Sequence, residues 1–381
     1  MNQIRPTTAT IDLTRVGANL RAVRGQLGSG IAVMAAVKGD AYGHGAVPVA
    51  RGLESAGVDW FGVALVEEGR ALRDAGVRTP ILCLEGVARE GAEAAIELGL
   101  TPMLFDLESA ARLDAAARAA GRPVAVHLKV DTGMGRLGVP YGEFEAFLDK
   151  LANFMWIRVE GMATHFAESE SDPTFTREQG RRFRVAVAAA RARSWEPTLL
   201  HASNSAAALG LPDLRFNLIR PGLALYGLPP RPDLNPGLRP AMRVTTRVLY
   251  VKNIPAGYGV SYGRRWIAER PTRLATLPVG YADGYPRALS NRADVLIHGQ
   301  RCPVRGAVCM DLVMVDVTDV VPAVRVDDEV ELLGEGIPAD ELAERAGTIS
   351  YEIVTGFSQR IPRRYAALDA HPPSEAHAWS S

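Results

Sequence analysis

Eight short apolar runs, each followed by a segment rich in Ala, Arg and Glu, constrain this chain more than any other feature: Ile31–Val37, Trp60–Ala64, Pro80–Leu84, Thr101–Phe105, Val124–Val130, Ile157–Met162, Thr198–Ala202 and Phe216–Arg220. A β-then-α order repeated without interruption gives a parallel sheet, because each crossover returns the chain to the same edge in the same direction. An open doubly wound sheet fits the same alternation. The count of eight and a span of roughly 230 residues favour a closed (β/α)8 TIM-type barrel, for which about 250 residues is typical. One amphipathic helix precedes the runs, since Val16, Leu20, Val23 and Leu27 recur at helical spacing between Asp12 and Gly28.

After Tyr226 the segment LPPRPDLNPGLRP carries five prolines, which remove backbone donors and end regular structure. Beyond it, MRVTTRVLYV, RLATLPVGY, ADVLIHG, DLVMVDV and DEVELL are β-branched runs separated by Gly, Pro and Asn. The expected organisation is therefore a barrel over residues 1–235 and a mainly β domain over residues 236–381, as suits a chain of 381 residues. Within the second domain, IPADELAERAG reads as one late helix, and the tail after Tyr365 has the composition of a poorly ordered terminus.

Forty-three basic residues balance forty-three acidic ones, so no overall field favours nucleic acid or an anionic membrane. Cys83, Cys302 and Cys309 are too scattered for a disulfide framework. The start, MNQIRPTTAT, has no apolar signal core, and no apolar stretch is long enough to span a bilayer, which together point to the cytoplasm. The seven histidines lack metal-ligand spacing, so no metal is expected.

Active sites of (β/α)8 barrels form where the strands end, so polar residues directly after the apolar runs are candidates. Lys38 follows the first run, Arg136 the fifth and His165 the sixth; Asn204 and Ser205 follow the seventh, and Arg220 ends the eighth. Singly, each reads as a solvated charge or a helix cap. Together they place an amine nucleophile, cations and small polar groups around one rim. Ser205 and Gly222 fall after the seventh and eighth runs, where barrels commonly hold phosphate.

At Ala36-Val37-Lys38-Gly39-Asp40-Ala41-Tyr42-Gly43-His44-Gly45 the chain resembles the cofactor-lysine signature of the alanine racemases. The resemblance recurs in LKVDTGMGRLG, THF, HASNSAAAL, RPGLALYG, VSYG, GYADGY, VCMD and SYEI, in shared order across both expected domains; Gly39 departs slightly from the family's residue. It implies that Lys38 forms a Schiff base with pyridoxal 5'-phosphate, that Tyr42, Ser205, Gly222, the backbone of Leu223, and Tyr351 contact the phosphate, and that Arg220 faces the pyridine nitrogen. The resemblance also implies that His165 lies near the ring and that Asn204 is among the cofactor-binding residues.

Racemisation removes the α-proton from one face of a substrate–cofactor imine and returns one to the other, so two bases are the simplest arrangement. By resemblance these are Lys38 and Tyr262, the latter supplied across a homodimer interface; Tyr258 is a weaker rival. A free tyrosine titrates near 10, so His201 and Arg220 are candidates to stabilise its phenolate through a hydrogen-bond chain. Arg136 would orient the substrate carboxylate or the cofactor's phenolic oxygen, with Lys129, which can be carbamylated in the family, steadying it. Met310 resembles the position whose backbone N–H reaches substrate from the partner chain, and Asp311 supports that loop. His127 alternates within a strand and reads as either network or core, while His298, His371 and His377 carry no assignment.

The implied reaction is the interconversion of L- and D-alanine, with D-alanine a cell-wall precursor. A racemase for serine or several amino acids is the nearest alternative, because one hydroxyl is weakly rejected by an apolar pocket. A non-catalytic pyridoxal-phosphate carrier on a similar barrel is a different class, and VSYG, VCMD and SYEI argue against it because such carriers lack the second domain.

Overall fold

The computed structural model describes residues 4–365; the tail after Tyr365, with His371 and His377, lies outside them. Two units emerge, Val16–Arg239 and a second built, among the described residues, from residues 4–15 together with residues 240–365.

In the first unit the eight apolar runs are eight parallel strands: Ala32–Ala36, Trp60–Val63, Ile81–Cys83, Thr101–Leu104, Val124–Asp131, Ile157–Ala163, Leu199–His201 and Leu218–Ile219. Each pairs with the next, and the eighth returns to the first through Leu218↔Ala32, so the sheet closes. The open doubly wound alternative is thereby removed. Helices fill the crossovers where caps permit: Asp106 accepts from Ser109 N–H at 2.7 Å to start Leu107–Ala119, and Asp172 accepts from Phe175 N–H at 2.9 Å to start Pro173–Arg191. The opening helix runs Leu13–Gly25.

Strand periodicity divides the side chains between two surfaces. Val126, Leu128 and Val130 pack outward with Phe144, Phe147, Leu148 and Phe183 of the surrounding helices. The inward set joins Met34, Leu82, Met103, Ala163 and Leu218 in a small apolar core. The alternate positions that share the inward face with these residues are His127, Lys129, Gly161, His201 and Arg220, and all four polar side chains among them are buried. The barrel is therefore apolar on part of its interior and polar on the rest, where the chemistry must lie.

The second unit is mainly β. A six-stranded sheet runs in the order Gln300–Pro303, Asp294–Ile297, Glu329–Leu333, Met242–Arg247, Thr8–Ile11, Arg363–Tyr365, beside a three-stranded sheet of Tyr250–Ile254, Thr272–Leu277 and Val313–Asp316. Residues 4–15, expected with the barrel, group instead with this unit. The reason is the pairing of Thr8–Ile11 with Met242–Thr245 on one side and Arg363–Tyr365 on the other. The expected single late helix is Ala339–Ala346, and a second, Ser350–Gly356, follows it.

Candidate active site

Lys38 stands directly after the first strand, where the backbone takes an unusual path. Gly39, Asp40, Ala41 and Tyr42 all have positive φ, between 53° and 62°, forming a left-handed turn. Such a conformation costs a non-glycine residue about 1–2 kcal/mol, so surrounding bonds must impose it. Ala41 N–H donates to Val37 O at 2.9 Å, Gly45 N–H to Asp40 O at 2.9 Å, and Ala46 N–H to the Asp40 carboxylate at 2.7 Å. Glu68 ties the turn to the second strand, accepting from Gly39 N–H at 2.7 Å and Ala64 N–H at 2.7 Å. The Lys38 amine lies half-buried, 3.2 Å from Glu85 Oε1. Sequence reasoning missed Glu85, although it follows the third apolar run and the strand-end rule would have found it.

Arg220 anchors the polar half of the interior. Its Nη1 donates to His201 Nδ1 at 2.7 Å, and its Nη2 donates to Thr164 O at 2.9 Å and Ala202 O at 3.0 Å and lies 3.2 Å from His165 Nδ1. Burial lowers Arg220 to about 10, which leaves it a cation at neutral pH. Burial, and then Arg220, push His201 and His165 well below the ordinary imidazole range, so both rings are neutral. Lys129 falls to about 8, first through burial and then through Arg220, Arg136 and Lys38, with Glu85 opposing. These shared influences bring Lys38, Lys129, Arg136, His165 and Arg220 into one electrostatic field.

Arg136 sits exposed on the loop after the fifth strand. Asp131 shapes that loop by accepting the N–H groups of Gly133, Met134 and Gly135 at 2.8–2.9 Å. Gly138, at φ 132°, lets the chain fold back, since a Cβ there would lie 2.6 Å from Asp131 N.

At the opposite side of the rim, Ser205 Oγ accepts from Gly222 N–H at 3.1 Å and Ala224 N–H at 3.4 Å, with Leu223 between them. Tyr42 packs onto this loop, its ring 4.9 Å from that of Tyr226, whose hydroxyl donates to Ala36 O at 2.8 Å. Asn204 accepts from Ala207 N–H at 3.1 Å as the cap of Ser205–Gly210 and from Ser169 Oγ at 3.0 Å, so its carbonyl oxygen is engaged in holding Ser205 in place.

The remaining candidates belong to the β unit. Tyr262 lies at the tip of the hairpin Gly259–Val260/Trp266–Ile267 and is 74% exposed. Ser261 joins this tip to the neighbouring loop, donating to Ala307 O at 2.7 Å and meeting Cys309 Sγ at 3.3 Å. That loop carries Met310, 54% exposed, and Asp311, which pairs with Arg360 at 2.8 Å. Tyr281, passed over in the sequence, is exposed beside them, with its N–H donating to Cys309 O at 3.0 Å. The rival Tyr258 has Lys252 Nζ 5.8 Å from its ring centroid, a packing role for the aromatic face. Tyr351 is half-buried in the first turn of Ser350–Gly356.

Among the described residues no group of three or more His, Cys, Asp or Glu could hold a metal ion, and no helix is long and apolar enough to cross a membrane. Residues 11–230 match the family described as alanine racemase, N-terminal domain, and residues 241–365 the alanine racemase, C-terminal domain. An alanine racemase of Symbiobacterium thermophilum is 48% identical over 377 residues, covering 97% of this chain and 100% of its own length. That of Halothermothrix orenii is 44% identical over 368 residues, covering 95% of this chain and 97% of its own. The solved alanine racemase of D-cycloserine-producing Streptomyces lavendulae superposes with a TM-score of 0.90 at 38% identity, over 96% of this chain and 98% of that one.

Proposed function

Since the chain belongs to the alanine racemase family and interconverts L- and D-alanine, we propose that it does so with pyridoxal 5'-phosphate held on Lys38 and with Tyr262 of a second copy as the opposing proton carrier. The observation that carries this reading is a half-buried Lys38 amine and a buried Arg220 cation, the latter flanked by neutral histidines, at the strand ends of one barrel. The residues present fit the cofactor. A Cβ at Gly222 would lie 2.4 Å from Tyr42 Oη, so the loop Gly222–Ala224 presents bare backbone beside a phenol and the Ser205 hydroxyl, the chemistry of a phosphate cradle.

When bound, pyridoxal phosphate supplies a conjugated electron sink that makes the substrate's α-hydrogen acidic. Lys38, Tyr42, Ser205, Gly222, Leu223 and Tyr351 would hold it, with His165 beside the ring and Asn204 bracing Ser205. Arg220 would disfavour a proton on the ring nitrogen next to it, because a guanidinium donates and does not accept. Arg136 would orient the substrate carboxylate, and Met310 would offer its backbone N–H from the partner copy, with Asp311 holding that loop through Arg360. Lys129 near 8 is partly neutral at physiological pH, the form that carbamylation needs, and the product would be an anion able to steady Arg136. Lys38 takes or returns the α-proton on one face and the Tyr262 phenol on the other.

The exposure of Tyr262 and Met310 on linked loops supports a shared site in a homodimer. The scattered cysteines support a reducing, cytoplasmic location, and D-alanine made there would serve as a peptidoglycan precursor. The test is to incubate the protein with pyridoxal phosphate and single-enantiomer amino acids, follow optical activity, and trap the modified lysine with borohydride. Label on any lysine other than Lys38 would overturn the assignment.

A further inference from the structure

Behind Arg220 and His201 lie two further groups, His127 and Glu160, that the proposed reaction leaves without a task. His201 Nδ1 is 2.7 Å from Arg220 Nη1, His201 Nε2 is 2.7 Å from His127 Nδ1, and His127 Nε2 is 3.7 Å from Glu160 Oε2. Both imidazoles are fully buried, and Glu160 is half-buried at the outer end, 3.2 Å from Arg158.

Donor chemistry allows this line one arrangement of protons. Arginine has only donors, so His201 Nδ1 must accept. A neutral His201 then carries its proton on Nε2 and donates it to His127 Nδ1. His127 in turn carries its proton on Nε2, which faces the Glu160 carboxylate. The reverse order fails at its first step, because it sets an Nδ1–H of His201 against an arginine N–H. Charging His201 fails in the same way, and burial together with Arg220 opposes it. Every N–H dipole in the line therefore points from cation to anion.

The sequence makes room for this line. A Cβ at Gly161 would lie 2.8 Å from His127 Cε1 and Nδ1 and 2.8 Å from Leu199 O, so only glycine lets the ring reach His201. Arg220 forms no ion pair with any described carboxylate, and its Nε makes no hydrogen bond within the described residues, since its Nη1 and Nη2 take all of its protein contacts.

We propose that Glu160 and His127 are positioning residues for Arg220: they hold the orientation of the His201 ring, whose tautomer Arg220 itself dictates, and through that ring the rotation of the guanidinium. The importance of that rotation for turnover rests on the reading that Arg220 faces the cofactor ring.

Two measurements test this. Two-bond ¹H–¹⁵N correlation on the histidine rings, recorded with and without bound pyridoxal phosphate, is expected to show His201 and His127 both protonated at Nε2 alone and unchanged from about pH 6 to 9. A proton on either Nδ1, or a charged ring, overturns the chain. Glu160→Leu and His127→Phe are then compared with Glu160→Gln, which keeps an oxygen facing His127. For the first two, the His201 resonances change, the visible band of bound pyridoxal phosphate shifts and kcat falls roughly tenfold with KM nearly constant; Glu160→Gln retains most of the wild-type behaviour. If Glu160→Leu folds and leaves the His201 resonances, the band and kcat as they were, Glu160 positions nothing. Failure of the wild type to bind pyridoxal phosphate would instead remove the proposed reaction and Arg220's task with it, whereas wrong tautomers remove the chain alone.

Discussion

The hydroxyl of Tyr42 occupies the space that a side chain at position 222 would need: a Cβ there would lie 2.4 Å from Oη and 2.9 Å from Cζ. Glycine at 222 and the left-handed turn that delivers Tyr42 are thus two halves of one device, which brings a phenol against bare backbone. Gly222→Ala is expected to destabilise the protein by about 1–3 kcal/mol through overpacking and to weaken pyridoxal phosphate binding roughly tenfold. Adding Tyr42→Phe removes the nearer clash and should restore part of the stability. Thermal melting and a cofactor titration check both, and a Gly222→Ala protein indistinguishable from wild type would refute the cradle.

Lys129 predicts a stability profile with pH. Its value falls from the usual 10.5 to about 8, chiefly through burial. The unfolded chain therefore keeps this proton between about pH 8 and 10.5 while the folded chain releases it, so this residue's contribution rises with pH across that window and is least favourable below pH 8. Lys129→Met should accordingly be more stable than wild type at pH 7, by on the order of 2 kcal/mol, with the difference shrinking above pH 8. Denaturant midpoints in carbon-dioxide-free buffer measure this, and a difference that grows toward pH 10 would contradict the assignment.

The barrel was readable because parallel strands are buried on both faces and so appear as unbroken apolar runs. Pairing between distant segments was not. Thr8–Ile11 has threonine at two of its four positions and so forms no apolar run, and its partners at Met242–Thr245 and Arg363–Tyr365 supply what its sequence lacks. Helix Ser350–Gly356 was hidden by Ile353, Val354 and Thr355, whose β-branched side chains read against a helix. The positions of Lys38, Ser205 and Arg220 followed from the strand-end rule, but the Gly39–Tyr42 turn contradicts local propensity in Asp40, Ala41 and Tyr42 and is set by their surroundings. His127 remained ambiguous because its partner, His201, lies 74 residues away on another strand.

Tyr262 offers a separation of chemistry from folding. Its side chain is largely exposed within the chain, and none of its neighbours on the hairpin depends on the phenol. Tyr262→Phe is expected to leave the unfolding free energy of the unassembled chain unchanged to within about 0.5 kcal/mol. Racemisation should fall by roughly 10²–10⁴ in both directions, since a proton carrier on one face serves the forward and the reverse reaction. Progress curves started from L-alanine and from D-alanine decide the matter; full activity in either direction would eliminate Tyr262 as a base.

Gly280 tests whether the Met310 loop must hold its shape. A Cβ at this position would lie 2.2 Å from Met310 O and 2.3 Å from Cys309 O, and these are the carbonyls that accept from Ala282 N–H and Tyr281 N–H, each at 3.0 Å. Backbone atoms on both sides leave no flexible group to move aside, so Gly280→Ala must separate the two segments or break both hydrogen bonds. The expected cost is about 2–4 kcal/mol, two strained hydrogen bonds plus overpacking. Because Ser261 ties the Tyr262 hairpin to the same loop through Ala307 O, the displacement should also reach the phenol, lowering kcat along with alanine affinity. Ser261→Ala, which cuts that tie without steric conflict, should lower kcat with a smaller loss of stability. A Gly280→Ala enzyme with reduced stability but wild-type kcat and KM would show that the loop and the hairpin are mechanically independent.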